Sequence, residues 1–335
     1  MRSASKITLV LLFGVSLFAL GACAAEDIII NPASDTAGID TASADVVPDA
    51  AADTYAEAAP DSGSDDVDTP DSATNPDTSV QPDTGPDVQN PPVCIQDNDG
   101  TILASELPVA FEASPNYVAN PVGSTVAVSP HGDVDDGTQT WDFRDIPSQS
   151  AGALFVDKPG AYWFAEHFPG ATFVSPLTPR DPSVLAVYQA DTTGVRLMGL
   201  GSESPEPAGQ KTLMVYDEPL DLLRFPIKLG DTHTATTSFT NALLQGTPNA
   251  GEETYTVHVD AMGTVKLPVF TVENCLRVRI DIDQRFVIST SADPIHSIQY
   301  LFLHECVGEI ARISSKSGET SGDFSEAHEF RMLGL

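Results

Sequence analysis

The chain has 335 residues, 48 of them acidic and 16 basic, for a formal net charge of −32. Affinity for a phosphate backbone rests on clustered Lys and Arg, so this balance argues against nucleic acid as a partner. The acidic excess is uneven, and the chain divides into three stretches.

Residues 1–22 read as an export signal. Arg2 and Lys6 give a basic start, and the apolar run from Ile7 to Leu20 is shorter than the ~20 residues a membrane-spanning helix needs. Leu20-Gly21-Ala22-Cys23 follows. Small residues before a cysteine match the lipobox of bacterial lipoproteins, in which Cys23 is lipidated and becomes the new N-terminus. A diacylglycerol with an N-linked palmitate-type chain anchors stably, where one acyl chain binds only marginally. An ordinary secretory signal cut near Ala22 or Ala25 is the alternative. Ala24 stands where the familiar inner-membrane retention signal has Asp, so that sorting rule predicts a lipid anchor in the outer membrane, facing the periplasm or the cell surface.

Residues 23–93 are expected to form a disordered acidic linker. Between 24 and 93 stand 16 Asp or Glu and no Lys or Arg, interleaved with Pro, Ala, Thr and Ser. Such a stretch cannot bury enough apolar surface to offset its ordering entropy, and its charges repel one another. As a flexible coil it would span about 45 Å, and more with charge and proline acting on it.

Residues 94–335 carry 32 acidic against 14 basic residues, a net −18, and are long enough for one substantial core. Three further cysteines lie here, and in an oxidising compartment two are expected to pair. Cys275 opens the strand-like run Leu276 to Ile282, and Cys306 ends the run from Tyr300. Adjacent antiparallel strands would join them, so Cys275 with Cys306 is the favoured pair; pairings through Cys94, and no bridge at all, stay open.

The first motif is Asp97-Asn98-Asp99-Gly100-Thr101-Ile102-Leu103-Ala104-Ser105-Glu106. Set on an EF-hand loop, Asp97, Asp99, Gly100 and Glu106 fall at positions 3, 5, 6 and 12, so Asp97, Asp99 and Glu106 are candidate calcium ligands. Position 1 is Ile95, where a ligand Asp belongs, and Asp-Gly loops also arise as plain turns. The acidic loop His131 to Gly137 reads as a solvated hairpin more readily than as a cation site.

Period-two alternation then recurs in short runs: Thr125 to Val128, Ala153 to Val156, Tyr255 to Val259, Leu276 to Ile282 and Phe286 to Ile288. These are strand signals bounded by turn residues, and no long window carries a helical stripe. The expected fold is all-β, an antiparallel β-sandwich or a curved barrel-like sheet. Pro226 confines the run Leu222 to Ile227 to an edge or bulge.

Several phrases in order carry a resemblance: Gly137 to Phe143, Phe168-Pro169-Gly170-Ala171-Thr172, Leu223 to Asp231, Asp260 to Pro268, Cys275 to Val278, and Glu305-Cys306-Val307-Gly308-Glu309-Ile310. Together they resemble an uncharacterised group of β-rich lipoproteins and secreted proteins from myxobacteria-like and Bacteroidetes-like bacteria. The resemblance spans nearly all of residues 94–335, implies secretion and a β-fold, and brings no catalytic residue. One departure is Val269-Phe270 after Leu267-Pro268, where a glycine belongs.

Hydrolysis needs an oriented nucleophile and base, or a metal-activated water. Neither Gly-x-Ser-x-Gly nor His-Glu-x-x-His occurs, and Glu166-His167 and His328-Glu329 are spaced for opposite faces of a strand. Gly199-Leu200-Gly201 lacks the third glycine and helix of a phosphate loop. Trp141 with Tyr162-Trp163-Phe164 suits a sugar platform, though strand alternation favours a buried core. Arg277 and Arg279 alternate with Asp281 and Asp283 on one face, as in exposed cross-strand pairing. The expectation is a lipid-anchored envelope protein displaying a binding or structural β-domain for an envelope or extracellular ligand. The alternative is an extracytoplasmic hydrolase, glycan-directed in one version, whose site is spread over distant strands.

Overall fold

The computed structural model describes residues 94–107, 109, 114–287 and 293–334, so Cys23 and the linker lie outside the described residues. Six short strands come first: β1 (Thr101–Ile102), β2 (Asn116–Ala119), β3 (Val126–Ala127), β4 (Asp133–Asp135), β5 (Thr138–Asp142) and β6 (Gln149–Ala153). An antiparallel meander follows: β7 (Phe173–Thr178), β8 (Asp181–Asp191), β9 (Gly194–Ser202), β10 (Leu213–Arg224), the two-residue β11 (Ile227–Lys228), β12 (Thr232–Leu244), β13 (Thr247–Lys266), β14 (Thr271–Phe286), β15 (Ile295–His304), β16 (Gly308–Ser315) and β17 (Glu326–Leu333). The only helical pieces among the described residues are three 3-10 turns of three residues each.

The main sheet runs β6-β2-β17-β16-β15-β14-β13-β12-β10-β9-β8-β7. Apart from β11, which pairs with β1, each meander strand lies beside its predecessor, and β2 and β6 are added outside the last one. The all-β expectation is met, as a large antiparallel sheet that does not close into a barrel. Its two ends nonetheless approach each other: beyond β6, Asp157 bridges Val174 of β7.

The strands are longer than the alternating runs in the sequence suggested, β13 reaching 20 residues and β14 16. Register shifts at Val259/Ala261 and Gly263/Val265 bend β13, as bulges do. Past the first bend it also pairs in parallel with β5, from Gly263↔Gln139 to Lys266↔Asp142. A Cβ on Gly263 would lie 2.2 Å from the Gln139 carbonyl, which is why that crossing requires glycine. Pro226 falls in the connection between β10 and β11.

Side chains alternate across each strand, so the sheet has two faces to cover. The inner face carries Leu197, Tyr255, Val257, Leu276, Val278, Ile280 and Leu301 in one core cluster. On the opposite face of β15–β17, Phe302 and Phe330 pack under the segment containing β3–β5. Trp141 meets Phe302 at 5.0 Å, and Phe143 meets Phe302 and Phe330 at 5.2 and 5.1 Å, all edge-to-face. The opposite face of β8 and β9 is covered by Phe164 and Phe168 in a third cluster. Trp141 and Phe164 are therefore fully buried in two separate clusters, not joined in an exposed sugar platform. Gly199 belongs to β9, where a Cβ would lie 2.0 Å from the Met214 carbonyl, so the glycine pair there serves strand packing.

The pairing of Cys275 with Cys306 is corrected: the disulfide joins Cys94 to Cys306, with Cα atoms 5.5 Å apart, and Cys275 is a buried free thiol. Register explains it. Leu276 pairs with Leu303, which leaves Cys306 beyond the end of the β14–β15 ladder, in the turn to β16. Cys275 instead sits in the Phe302 cluster, where burial pushes its thiol up to about 12.

Candidate functional site

Two places gather polar chemistry. The first is the loop at the start of the domain. Asp97 Oδ1 accepts the Asp99 N–H at 3.1 Å and Asp99 Oδ1 accepts the Thr101 N–H at 2.7 Å, two Asx turns in succession. Asn98 and Gly100 adopt the positive φ values of 59° and 80° that this reversal requires. Glu305, 3% exposed, closes the loop from across the chain: its Oε2 accepts the N–H of Asp97 at 3.1 Å and of Asn98 at 2.8 Å.

Ligand oxygens of Asp97, Asp99 and Glu305 lie within 4.8 Å of one another. Glu106, expected to be the distal ligand, is not among them. Its Oε2 accepts the Leu103 N–H at 2.8 Å, capping its own 3-10 turn, and its carbonyl accepts the Cys306 N–H at 2.7 Å. Glu305 occupies the position assigned to Glu106. Three carboxylates are half or fewer of the six to eight oxygens that calcium takes, and Ile95 points 79% exposed into solvent. The loop is already closed by hydrogen bonds, and its evident work is to clasp the domain's first residues to the β15–β16 turn.

The second place is a cavity of about 270 Å³ inside the sheet. Its lining comes from both ends of the strand path, Tyr117 of β2 and Arg331 of β17 on one side and Phe173 of β7 and Tyr188 of β8 on the other. The curl of the sheet is what encloses it. Most of the wall is apolar, including Leu177, Val195, Leu223, Ile280 and Leu301.

One side of the wall is ionic. Glu309 binds Arg331 Nε at 2.7 Å and Arg312 Nη2 at 2.5 Å. Arg331 also meets Glu329 at 3.4 Å, and Glu329 in turn binds Arg180 at 2.8 Å and the Thr178 hydroxyl at 2.9 Å. Burial pushes the Glu309 carboxyl up, but the guanidinium groups of Arg312 and Arg331 outweigh it and hold the group below its ordinary value. Tyr117 donates its hydroxyl hydrogen to the Glu309 carbonyl at 2.7 Å.

Behind Tyr255, another buried carboxyl has no cation among its hydrogen-bond partners in the described residues. Glu253 accepts from Tyr216 at 2.5 Å, Tyr255 at 3.2 Å and Gln284 at 2.8 Å. Burial raises its pKa, and these hydrogen bonds only partly oppose the rise.

The remaining candidates are dispersed. Glu166 and His167 stand 4.0 Å apart on an exposed 3-10 turn, while Glu329 is committed to Arg180. The loop from His131 to Gly137 contains the β4–β5 hairpin, with Asp135 opposite Thr138. Arg277 reaches Asp260 across the ladder at 2.8 Å, Arg279 takes Asp281 along its own strand at 2.6 Å, and Asp283 takes His296 of β15 at 2.8 Å.

Sequence reasoning missed the Arg180, Glu309, Arg312, Glu329 and Arg331 network. Its members alternate with apolar residues, as in Glu329-Phe330-Arg331-Met332, and so read as a solvent face. Glu305 had one available signal: a Cys94–Cys306 pairing would have brought it beside Asp97. No protein-family model matches the chain, and no curated protein and no solved structure matches it either.

Proposed function

We propose that the chain is a lipid-anchored component of the cell envelope that presents a ligand-binding β-domain. Acyl chains on Cys23 hold it to the outer membrane, the acidic segment 24–93 sets the domain at a distance, and residues 94–335 bind a small ligand inside the curled sheet. The observation that carries the binding half is the cavity of about 270 Å³ walled by strands from both ends of the sheet. Pockets that take small molecules are mostly apolar with a few fixed polar groups, which is the composition of this wall. The anchoring half is supported by the Leu20 to Cys23 motif and the acidic stretch after it.

Fractionation tests the anchor. Cys23→Ser is expected to move the protein from the membrane to the soluble fraction, and a variant that stays membrane-bound sinks that half. Native mass spectrometry of the protein drawn from its own envelope tests the other half. It should show an added small-molecule mass that is lost on denaturation. Protease shaving of whole cells then separates surface from periplasm.

A further inference from the structure

The charged groups on the cavity wall hold one another. Glu309 takes both Arg312 and Arg331, Arg331 also reaches Glu329 at 3.4 Å and the Leu177 carbonyl at 3.3 Å, and Arg312 has a further partner besides. A charged head of either sign entering here would give up its water and find each counter-ion on the wall already engaged. Burying a charge without a partner of its own is costly. Three neutral polar side chains of the lining are taken as well: Tyr117 donates to the Glu309 carbonyl, Tyr255 to Glu253, and Gln299 has a partner of its own.

Two lining hydroxyls remain. Phe173 of β7 pairs with Tyr188 of β8 and Ser175 with Ala186, so Ser175 and Tyr188 stand diagonally across one face of that hairpin, and both line the cavity. Neither hydroxyl has a hydrogen-bond partner among the described residues. The Tyr188 ring stacks on Phe173 with centroids 4.7 Å apart, which holds its hydroxyl in place. Burial pushes the pKa of that hydroxyl up, so it keeps its proton and can donate. Around these two groups, Leu177, Val195, Ile280 and Leu301 offer no polar side-chain atom. The cavity volume is not quite twice the ~150 Å³ that takes one benzene, which leaves room for about ten non-hydrogen atoms. Val307 lines the cavity yet is 50% exposed, which puts an opening beside Cys306.

We infer that the ligand is a small uncharged compound, apolar except for one hydroxyl or carbonyl oxygen, and that this oxygen accepts the Tyr188 hydroxyl hydrogen beside Ser175. The inference rests on the binding reading above and names the ligand class for it.

The test is calorimetric titration of the unlipidated Cys23→Ser chain with four probes that share a ring and chain and differ in the end group: propylbenzene, 3-phenylpropanol, 3-phenylpropanoate and 3-phenylpropylammonium. The hydrocarbon and the alcohol should bind, and both ions at least about tenfold more weakly than the alcohol. Tyr188→Phe keeps the ring on Phe173. It should weaken the alcohol about fivefold, the worth of one hydrogen bond, and leave propylbenzene unchanged. An ion that binds as tightly as the alcohol overturns the uncharged assignment. Equal effects of Tyr188→Phe on alcohol and hydrocarbon overturn the role of Tyr188. If no probe binds but the envelope-derived protein carries a charged or much larger mass, the ligand class is wrong and the binding reading stands. If neither shows a ligand, both fall.

Discussion

Glu305 Oε2 accepts the backbone N–H of Asn98 at 2.8 Å, a contact between residues 207 apart in sequence. With the Asp97 N–H on the same oxygen, it satisfies two donors that the turn would otherwise leave open. Hydrogen bonds to a charged acceptor contribute about 1.5–3 kcal/mol each. Glu305→Ala is therefore expected to destabilise the protein by about 3–6 kcal/mol in urea titration. A loss under 1 kcal/mol would show that the clasp contributes little.

The same geometry bears on calcium. Asp97 Oδ1, Asp99 Oδ1 and Glu305 Oε2 already accept backbone N–H groups, and Glu106 caps a separate turn. Thermal unfolding is expected to be the same in millimolar calcium and in chelator. A rise of several degrees with calcium, abolished by Glu305→Gln, would establish a cation at the junction.

The disulfide makes a chemical prediction. Non-reducing peptide mapping should recover Cys94 linked to Cys306, while Cys275 resists alkylation until the protein unfolds. Recovery of Cys275 in a bridge would contradict the β14–β15 register. The bond spans a sequence separation of 212, so Cys94→Ser should cost up to about 5 kcal/mol, the upper end for a loop of this size.

Two buried carboxyls pull the pH dependence in opposite directions. Glu309 is held below its ordinary value of 4.5, so its contribution is full above that pH and is lost as pH falls through the folded value. Glu253 is raised, so the folded protein keeps a proton that the unfolded chain has released above pH 4.5. Its contribution is present below that value and is lost as pH rises through the folded one. Glu253→Gln should thus remove a decline on the alkaline side while leaving the acid limb intact. The new amide also places a donor near Gln284 Oε1, which has no hydrogen-bond partner among the described residues. Chemical denaturation at a series of pH values checks this, and a variant whose alkaline limb is unchanged rules it out.

Neighbouring residues on opposite faces of β15 should differ. Phe302→Ala opens a hole among Trp141 and Phe143 and is expected to cost about 3–5 kcal/mol. Leu301 already borders empty space, so it has fewer partner atoms to lose and Leu301→Ala should cost about 2–3 kcal/mol. Equal losses measured in urea would mean that the cavity wall is packed as tightly as the outer cluster.

Much of the fold was legible because β14 obeys simple alternation, with Leu276, Val278, Ile280 and Ile282 on the inner face. β15 did not follow it. Buried on both sides, it places Ser297 and Gln299 inward and Tyr300 and Phe302 outward, so polarity ceases to report which face meets water. The disulfide escaped for a related reason: spacing shows which strands can be neighbours but not the register that sets Cys275 short of Cys306. At the junction, Asp97 and Asp99 were visible as a local motif. Glu305 belongs to the same cluster only through folding.

The Cys94–Cys306 bond also sets where a pull on the segment before residue 94 would enter the domain. Tension on the chain before Cys94, as the anchor proposed above would deliver it, would pass through sulfur directly into the turn between β15 and β16, two interior strands braced by ladders on both sides. The short β1 and β2 downstream of Cys94 would be bypassed, so a pull on residue 94 would be borne by two interior strands.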